Sequence, residues 1–359
     1  MTESDSLAIK ICRVLCIFFM TYVHVNPGKD SWTGEIPEYL AQLGYILSDV
    51  LGRASVPALS VLGGYLAVSA YSRRSNWWMY AKERWQTLII PLITWNVVII
   101  LLSLFILWLT GAQTSIIRDL SPFNQLTPLL IADRLTGYNY GSATTALNFL
   151  RDIFICSLLL PLVLQFIKRL GFAGVGIIWL AGLTIGFSPI IMRPNILMFF
   201  TVGIYMALQS NQLIPTLNTT FKLLTTLLIA LALVYFVPAL ETNYGKNLPN
   251  TALRLAVASC FLIIAIALSR IKVGKLIARL EPLAYLMFLS HATIMLVFWG
   301  AWQKFFGNDL VWPYAVFFVA APFATLIALL GLHKVLTLMP ATVQKILSGK
   351  TISQRANHN

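Results

Sequence analysis

The chain has 359 residues, of which 58% are hydrophobic and only 11% charged, with a mean hydropathy of +0.77. A soluble domain carries about a quarter charged residues and just under half apolar ones, so the charges here are too few to cover a water-facing surface and most of the chain must be solvated by lipid. The net charge of +13 does not ask for a nucleic-acid partner, because lysine and arginine in a membrane protein collect in cytoplasmic loops and set topology.

A spanning helix needs about 20 mainly apolar residues. Ten segments meet that pattern: 7–25, 43–70, 88–110, 146–167, 174–188, 196–210, 221–240, 251–269, 283–303 and 313–338. The first, Leu7 to Val25, is followed by no small-residue cleavage pattern and reads as a retained helix. The second contains Pro57 and Gly63-Gly64, which predict a kink or an unwound turn. The fifth and sixth are short and separated by Gly186, Pro189 and Pro194, all helix breakers. The largest loops fall at 26–42 and 111–145, and no stretch is left for a soluble domain. The expectation is an all-α polytopic membrane protein of about ten transmembrane helices. Its organisation would be one membrane domain, 1–347, and a polar cytoplasmic tail, 348–359, of the kind that is commonly disordered.

With the N-terminus in the cytoplasm, seventeen of the lysines and arginines fall inside and nine outside. That bias supports an N-in, C-in topology with an even number of spans.

Ionisable groups within a span cost at least about 2.5 kcal/mol each, so they face a cavity or a partner. Arg13 and His24 lie in the first segment, Asp49 and Arg53 in the second, Arg151 and Asp152 in the fourth and His291 in the ninth. Eleven residues separate Arg13 from His24. At about 100° and 1.5 Å per residue they share one helix face, roughly 16 Å apart along its axis. A ligand path and two interface anchors fit that spacing alike. Asp49 and Arg53, at i and i+4, can pair on one face. Arg151 and Asp152 point about 100° apart, so one of them should meet a neighbouring helix. His291 reads equally as a helix–helix hydrogen-bond partner or as a catalyst. Between the second and third segments, Arg73, Arg74, Lys82 and Arg84 are interleaved with Trp77, Trp78, Tyr80 and Trp85. The mixture suits an interfacial belt, and would also hold an anionic nucleotide group.

The four cysteines, Cys12, Cys16, Cys156 and Cys260, all fall in apolar runs and read as buried small hydrophobes rather than disulfides or zinc ligands. There is no Walker loop, HExxH or GxSxG elbow. Intramembrane carboxylates are too few for an obvious proton relay, and no inverted repeat stands out; both features weigh against a transporter.

Five landmarks, in order, resemble those of the membrane-bound acyltransferase-3 family, whose members O-acylate cell-surface glycans. Arg13-x10-His24 matches the family's arginine–histidine signature in the first helix. The stretch Val56-Pro57-Ala-Leu-Ser60-Val-Leu-Gly63-Gly64-Tyr65-Leu66 is similar to "VPLFFxxSGYL", with Gly63 where serine is common. Tyr80-Ala-Lys-Glu-Arg84 with Leu88-Ile-Ile-Pro91 is similar to "KRxxRLxxP". Leu147-Asn148-Phe149-Leu150-Arg151-Asp152 running on to Pro161 looks like "WFLRDL…P", and Tyr285-x5-His291 like "YLxxxH". Two positions depart from the pattern: Thr87 stands where a second arginine often follows Arg84, and Asn148 where tryptophan is usual.

The resemblance implies transfer of an acyl group, most often acetyl, from cytoplasmic acyl-coenzyme A to a sugar hydroxyl of a cell-surface or lipid-linked polysaccharide. No metal would be needed. It implies a multi-pass protein of the bacterial inner membrane, working alongside polysaccharide biosynthesis machinery. His24 would then be the general base near the acceptor and Arg13 a donor-side residue. Arg73, Arg74 and Arg84 would receive the coenzyme A nucleotide. Asp49, Arg53, Ser60, Tyr65, Arg151, Asp152 and His291 are further candidates to line the site. The alternative reading is a ten-span transporter or flippase of a sugar, drug or lipid-linked intermediate, to which a broken second helix and intramembrane charges are equally suited.

Overall fold

The computed structural model describes residues 3–25, 36–74, 76–111, 127–138, 141–209, 226, 229, 232, 247–307 and 310–351. Among these the chain is helical throughout, its one extended feature being an isolated bridge between Phe187 and Ile191. Six helical stretches are long and apolar enough to cross a membrane: Glu3–Val23, Glu38–Ser72, Trp77–Thr110, Pro249–Ser269, Glu281–Phe306 and Val311–Thr337. A bent pair, Thr145–Leu158 with Leu160–Leu170, brings the number up to seven if it counts as one span. The expected fifth and sixth segments form shorter apolar helices, Phe172–Thr184 and Pro194–Gln209. Most of the expected segment 221–240, and residues 26–35, 112–126 and 139–140 of the expected loops, lie outside the described residues.

In chain order the helices are α1 (Glu3–Val23), α2 (Glu38–Gly44), α3 (Arg53–Ser72), α4 (Trp77–Arg84), α5 (Ile90–Thr110), α6 (Pro128–Thr136), α7 (Asn148–Leu158), α8 (Leu160–Leu170), α9 (Phe172–Thr184), α10 (Pro194–Gln209), α11 (Asn247–Ser269), α12 (Lys272–Ala278), α13 (Glu281–Phe306), α14 (Val311–Thr337) and α15 (Ala341–Ser348). Prolines explain where the long stretches change character. Pro57 cannot donate to the carbonyl of Arg53, and its ring needs room there. The chain meets this with a π-helical stretch, Tyr45–Gly52, immediately upstream, whose wider turns loosen the backbone before α3 begins. The unwound turn expected at Pro57 and Gly63-Gly64 is not found: α3 is helical through both, and the π-helical stretch lies upstream of it. A second π-helical stretch, Trp85–Ile89, precedes Pro91 in the same way. Pro161 deprives the Ser157 carbonyl of its partner, and the chain bends by 61° between α7 and α8.

The glycines of α3 serve a crossing instead of a break. A Cβ on Gly64 would fall 2.0 Å from the Phe200 carbonyl oxygen of α10, and one on Gly203 of α10 would fall 1.9 Å from that of Val61. Small residues at matched positions let two backbones touch, which is the dominant way helices associate where lipid removes the hydrophobic drive. Helix α1 is packed against α3, α11 and α13, so most of its length is covered by protein. Ile11, Cys12 and Cys16 on it are fully buried. All four cysteines are free and buried, with the Cys12 and Cys16 sulfurs 3.8 Å apart one turn from each other.

Candidate active site

Two contacts fix α1 against α13. At one end Arg13 Nη1 donates to Glu281 Oε1. At the other, the rings of His24 and His291 lie 5.0 Å apart, centre to centre. Eleven residues separate the first members of these contacts and ten the second, so the helices run parallel and in step over roughly 15 Å. Glu281 opens α13 and is followed by Pro282. A carboxylate in the first turn complements the helix dipole, and proline is favoured there because its missing N–H would have had no intrahelical partner. The sequence thus both starts α13 and aims its acid at Arg13.

His291 is fully buried. Its Nδ1 lies 3.0 Å from the Met287 carbonyl oxygen and 2.9 Å from that of Phe288. Both neighbours only accept hydrogen bonds, so Nδ1 carries the proton and Nε2 the lone pair. That Nε2 is buried and has no hydrogen-bond partner. His24 directly follows the last turn of α1, where its own N–H bonds the Thr21 carbonyl oxygen at 3.0 Å; it is half-buried.

The Arg13 end opens into a cavity of about 1010 Å³. Five cations line it, Lys10, Arg13, Arg73, Arg84 and Lys350, against two carboxylates, Glu83 and Glu281. Tyr65, Phe149, Tyr285 and Phe288 supply aromatic wall. Phe288 also lies 6.4 Å from the His291 ring, so it stands between the cavity and the histidine pair. Tyr285 is anchored by its hydroxyl, which donates to the Thr87 carbonyl oxygen at 2.5 Å. Pro91, four residues on from Thr87, has no N–H to offer that carbonyl.

Of the residues expected to receive a nucleotide, Arg73 and Arg84 face this cavity. Arg73 donates to Ser69 Oγ at 3.2 Å. The Arg84 guanidinium carbon sits 4.9 Å from the centre of the Tyr80 ring, and its Nε is buried with no hydrogen-bond partner. Arg74 does not line the cavity and is engaged by Glu83 through Nε, at 2.8 Å, and Nη2. Thr87, standing where a second arginine often occurs, lines the wall but turns its hydroxyl back to the Glu83 carbonyl oxygen at 2.9 Å. Tyr65 lines the cavity as well. Ser60 does not: it is fully buried and bonds the Val56 carbonyl oxygen of its own helix at 2.8 Å.

The remaining candidates do not line this cavity. Asp49 and Arg53 form the i, i+4 pair at 2.6 Å, with both side chains nearly half exposed. Arg151 and Asp152 bond each other, and each also reaches a neighbouring segment. The Arg151 side chain is long enough to curl back, placing Nη2 2.5 Å and Nε 3.1 Å from Asp152 Oδ1. Its Nη1 donates to the carbonyl oxygens of Gly137 and Tyr138, while Asp152 accepts from the N–H groups of Met192 and Arg193 at 3.3 Å. Both residues are buried, and the cluster staples two connecting segments to α7. Asn148, in place of the usual tryptophan, belongs to the same region, accepting from the Ser142 N–H at 2.9 Å.

Sequence reasoning missed Glu281, Lys10, Glu83 and Lys350 as parts of the cavity. Glu281 did leave a signal, an acid ten residues before His291 that mirrors the spacing of Arg13 and His24. Lys350 left none, because only the return of the chain to the bundle brings it near. Among the described residues no three His, Cys, Asp or Glu side chains come together as a metal site.

A family model described as "Acyltransferase domain" matches residues 6–333, nearly the whole chain. The chain is 26% identical over 365 residues to the succinoglycan biosynthesis protein ExoH of Rhizobium meliloti, an alignment covering 97% of this chain and 93% of ExoH. No solved structure matches it. The chain belongs to the acyltransferase-3 family, and it is a multi-pass membrane protein.

Proposed function

We propose that this acyltransferase moves an acetyl or similar short acyl group from acyl-coenzyme A to a sugar hydroxyl of a cell-surface or lipid-linked polysaccharide. It would act in the bacterial inner membrane through about ten spans, with both termini in the cytoplasm. The observation that carries this reading is the parallel α1–α13 pair, which joins a cationic cavity at the Arg13–Glu281 end to two imidazoles at the other. The excess of lysine and arginine suits the phosphates of coenzyme A. The aromatic wall suits the pantetheine arm, which extends past Phe288 toward the histidines. The cavity, on the side where cytoplasmic lysines and arginines would concentrate, is the donor mouth.

The acceptor hydroxyl attacks the thioester carbonyl carbon. His24, the more accessible imidazole, takes the hydroxyl proton as the carbon–oxygen bond forms. The carbon–sulfur bond then breaks, and the departing sulfur takes a proton from the imidazolium, regenerating the base. General-base help of this kind is worth about 10²–10⁴ in rate. His291, held by two carbonyls with its lone pair unpartnered, orients His24 or accepts the proton from it. Arg13 is held by Glu281 at the inner end of the path and positions the donor; at roughly 16 Å from His24 it does not touch the reacting carbon. ExoH's role in succinoglycan biosynthesis supports an exopolysaccharide acceptor and a place beside polysaccharide assembly machinery.

The test is deletion and complementation followed by mass analysis of the surface polysaccharide, together with transfer of label from acetyl-coenzyme A in membranes. A mass difference of one acyl group, and labelled glycan, are expected. Solute uptake without acyl transfer would overturn the reading in favour of a transporter.

A further inference from the structure

The segment that follows α14 returns to the bundle. Helix α15 packs against α5 and the π-helical stretch before it, where Trp95 Nε1 donates to the Leu347 carbonyl oxygen at 2.9 Å. Ser348 Oγ lies 2.7 Å from the Gln344 carbonyl oxygen and 2.8 Å from that of Lys350, closing the turn on itself. Gly349 has a φ of +72°, a conformation only glycine adopts without strain. It is also pressed against the π-helical stretch before α5, because a Cβ there would meet the Thr87 carbonyl oxygen at 2.9 Å. That same carbonyl accepts the Tyr285 hydroxyl, so the chain end, the stretch Trp85–Ile89 and α13 converge on Thr87. Ser348, Gly349 and Lys350 consequently line the cationic cavity, which Glu83 lines as well. The family match ends at residue 333, so this wall is built from sequence beyond it.

We propose that the C-terminal segment Ser348–Lys350 is a wall of the donor site and that Lys350 binds a phosphate of the coenzyme A nucleotide. This rests on the acyl-coenzyme A reading given above. The chemistry is that of a lysine ammonium, a compact point charge that pairs with phosphate without demanding a fixed geometry. The seating of Gly349 against Thr87 sets where that charge stands.

The experiment uses the full-length chain in lipid nanodiscs, with two donors: acetyl-coenzyme A, and acetyl-pantetheine, which has no phosphate. Lys350→Ala should raise KM for acetyl-coenzyme A roughly tenfold with kcat little changed, the size of one charge-assisted contact. Lys350→Arg should restore most of it, and KM for acetyl-pantetheine should be the same in all three proteins. Gly349→Val, which unseats the segment, should reproduce the Lys350→Ala defect. In a Lys350→Cys protein, desulfo-coenzyme A should protect the thiol from maleimide and pantetheine should not. An unchanged KM for acetyl-coenzyme A, an equal shift for both donors, or labelling indifferent to desulfo-coenzyme A overturns the proposal. Wild-type protein that transfers from neither donor, nor from coenzyme A thioesters of other short acyl groups, overturns the acyl-coenzyme A reading itself, whereas normal transfer with a silent Lys350→Ala overturns only the C-terminal assignment.

Discussion

The imidazole of His24 lies 5.0 Å, ring centre to ring centre, from that of His291, on two parallel helices tied at their other ends by Arg13 and Glu281. The pairing gives the two histidines distinct chemistry. His291 is fixed in one tautomer by the Met287 and Phe288 carbonyls, whereas His24 ends its helix and is half-buried.

His24→Ala should therefore lower kcat for acyl transfer by about 10²–10⁴, the usual worth of a general base, with the donor's dissociation constant unchanged. Radiolabel transfer from acetyl-coenzyme A in membranes containing correctly inserted protein checks this. Undiminished transfer would end the base assignment. His291→Asn keeps a polar group near the Met287 and Phe288 carbonyls within the volume of the imidazole and removes the Nε2 lone pair, so it should cost activity while the protein still inserts and folds.

Arg13 and Glu281 should behave as a unit. Each single alanine substitution leaves a charge in a mostly covered site, while the double substitution removes both. A double-mutant cycle on thermal stability should give a coupling of about 0.5–3 kcal/mol. Because Arg13 also lines the cavity, Arg13→Ala should weaken desulfo-coenzyme A binding. Isothermal calorimetry on the detergent-solubilised protein reads that directly, and an unchanged dissociation constant would reject the donor role.

Arg151 and Asp152 are expected to matter for stability and not for donor affinity. Their side chains are 7% and 0% exposed, and removing one partner of a buried pair costs about 3–5 kcal/mol. Asp152→Asn and Arg151→Ala should lower the unfolding temperature in detergent. Any protein that still folds should keep the wild-type KM for acetyl-coenzyme A; a raised KM with normal stability would return the pair to the donor site.

The two glycines of α3 should differ sharply. Gly64→Leu puts a side chain into the backbone of α10, where a Cβ would stand 2.0 Å from the Phe200 carbonyl oxygen, so assembled protein should be lost on size-exclusion chromatography. Gly63→Ala meets only the tip of Ile153, at 3.2 Å, a flexible end that can give way. It should express and assemble as the wild type does.

Much of the fold could be read from the chain because lipid imposes it. With no water to satisfy backbone groups, long apolar runs have to be helices, and α1, α5, α13 and α14 lie where the hydropathy placed them. Proline and glycine were read less well. A sequence shows that Pro57 disrupts a helix, but the neighbouring turns decide how the disruption is absorbed, and Tyr45–Gly52 absorbed it. The i, i+4 pairing of Asp49 and Arg53 was legible because it depends on one helix alone. That of Arg151 with Asp152 was not, because side-chain reach overrides the angle between adjacent positions.

The same division holds for the candidate site. The sequence by itself determined a membrane protein, the ordered acyltransferase landmarks, and one helix face carrying Arg13 and His24 at fixed separation, since those depend on composition and the geometry of a single helix. It could not determine what faces that stripe. Glu281 opposite Arg13, His291 opposite His24, and Lys350 in one cavity with Glu83 were decided only by the packing of segments hundreds of residues apart in the chain. Contacts of that kind are properties of the assembled bundle, for which a linear pattern has no period.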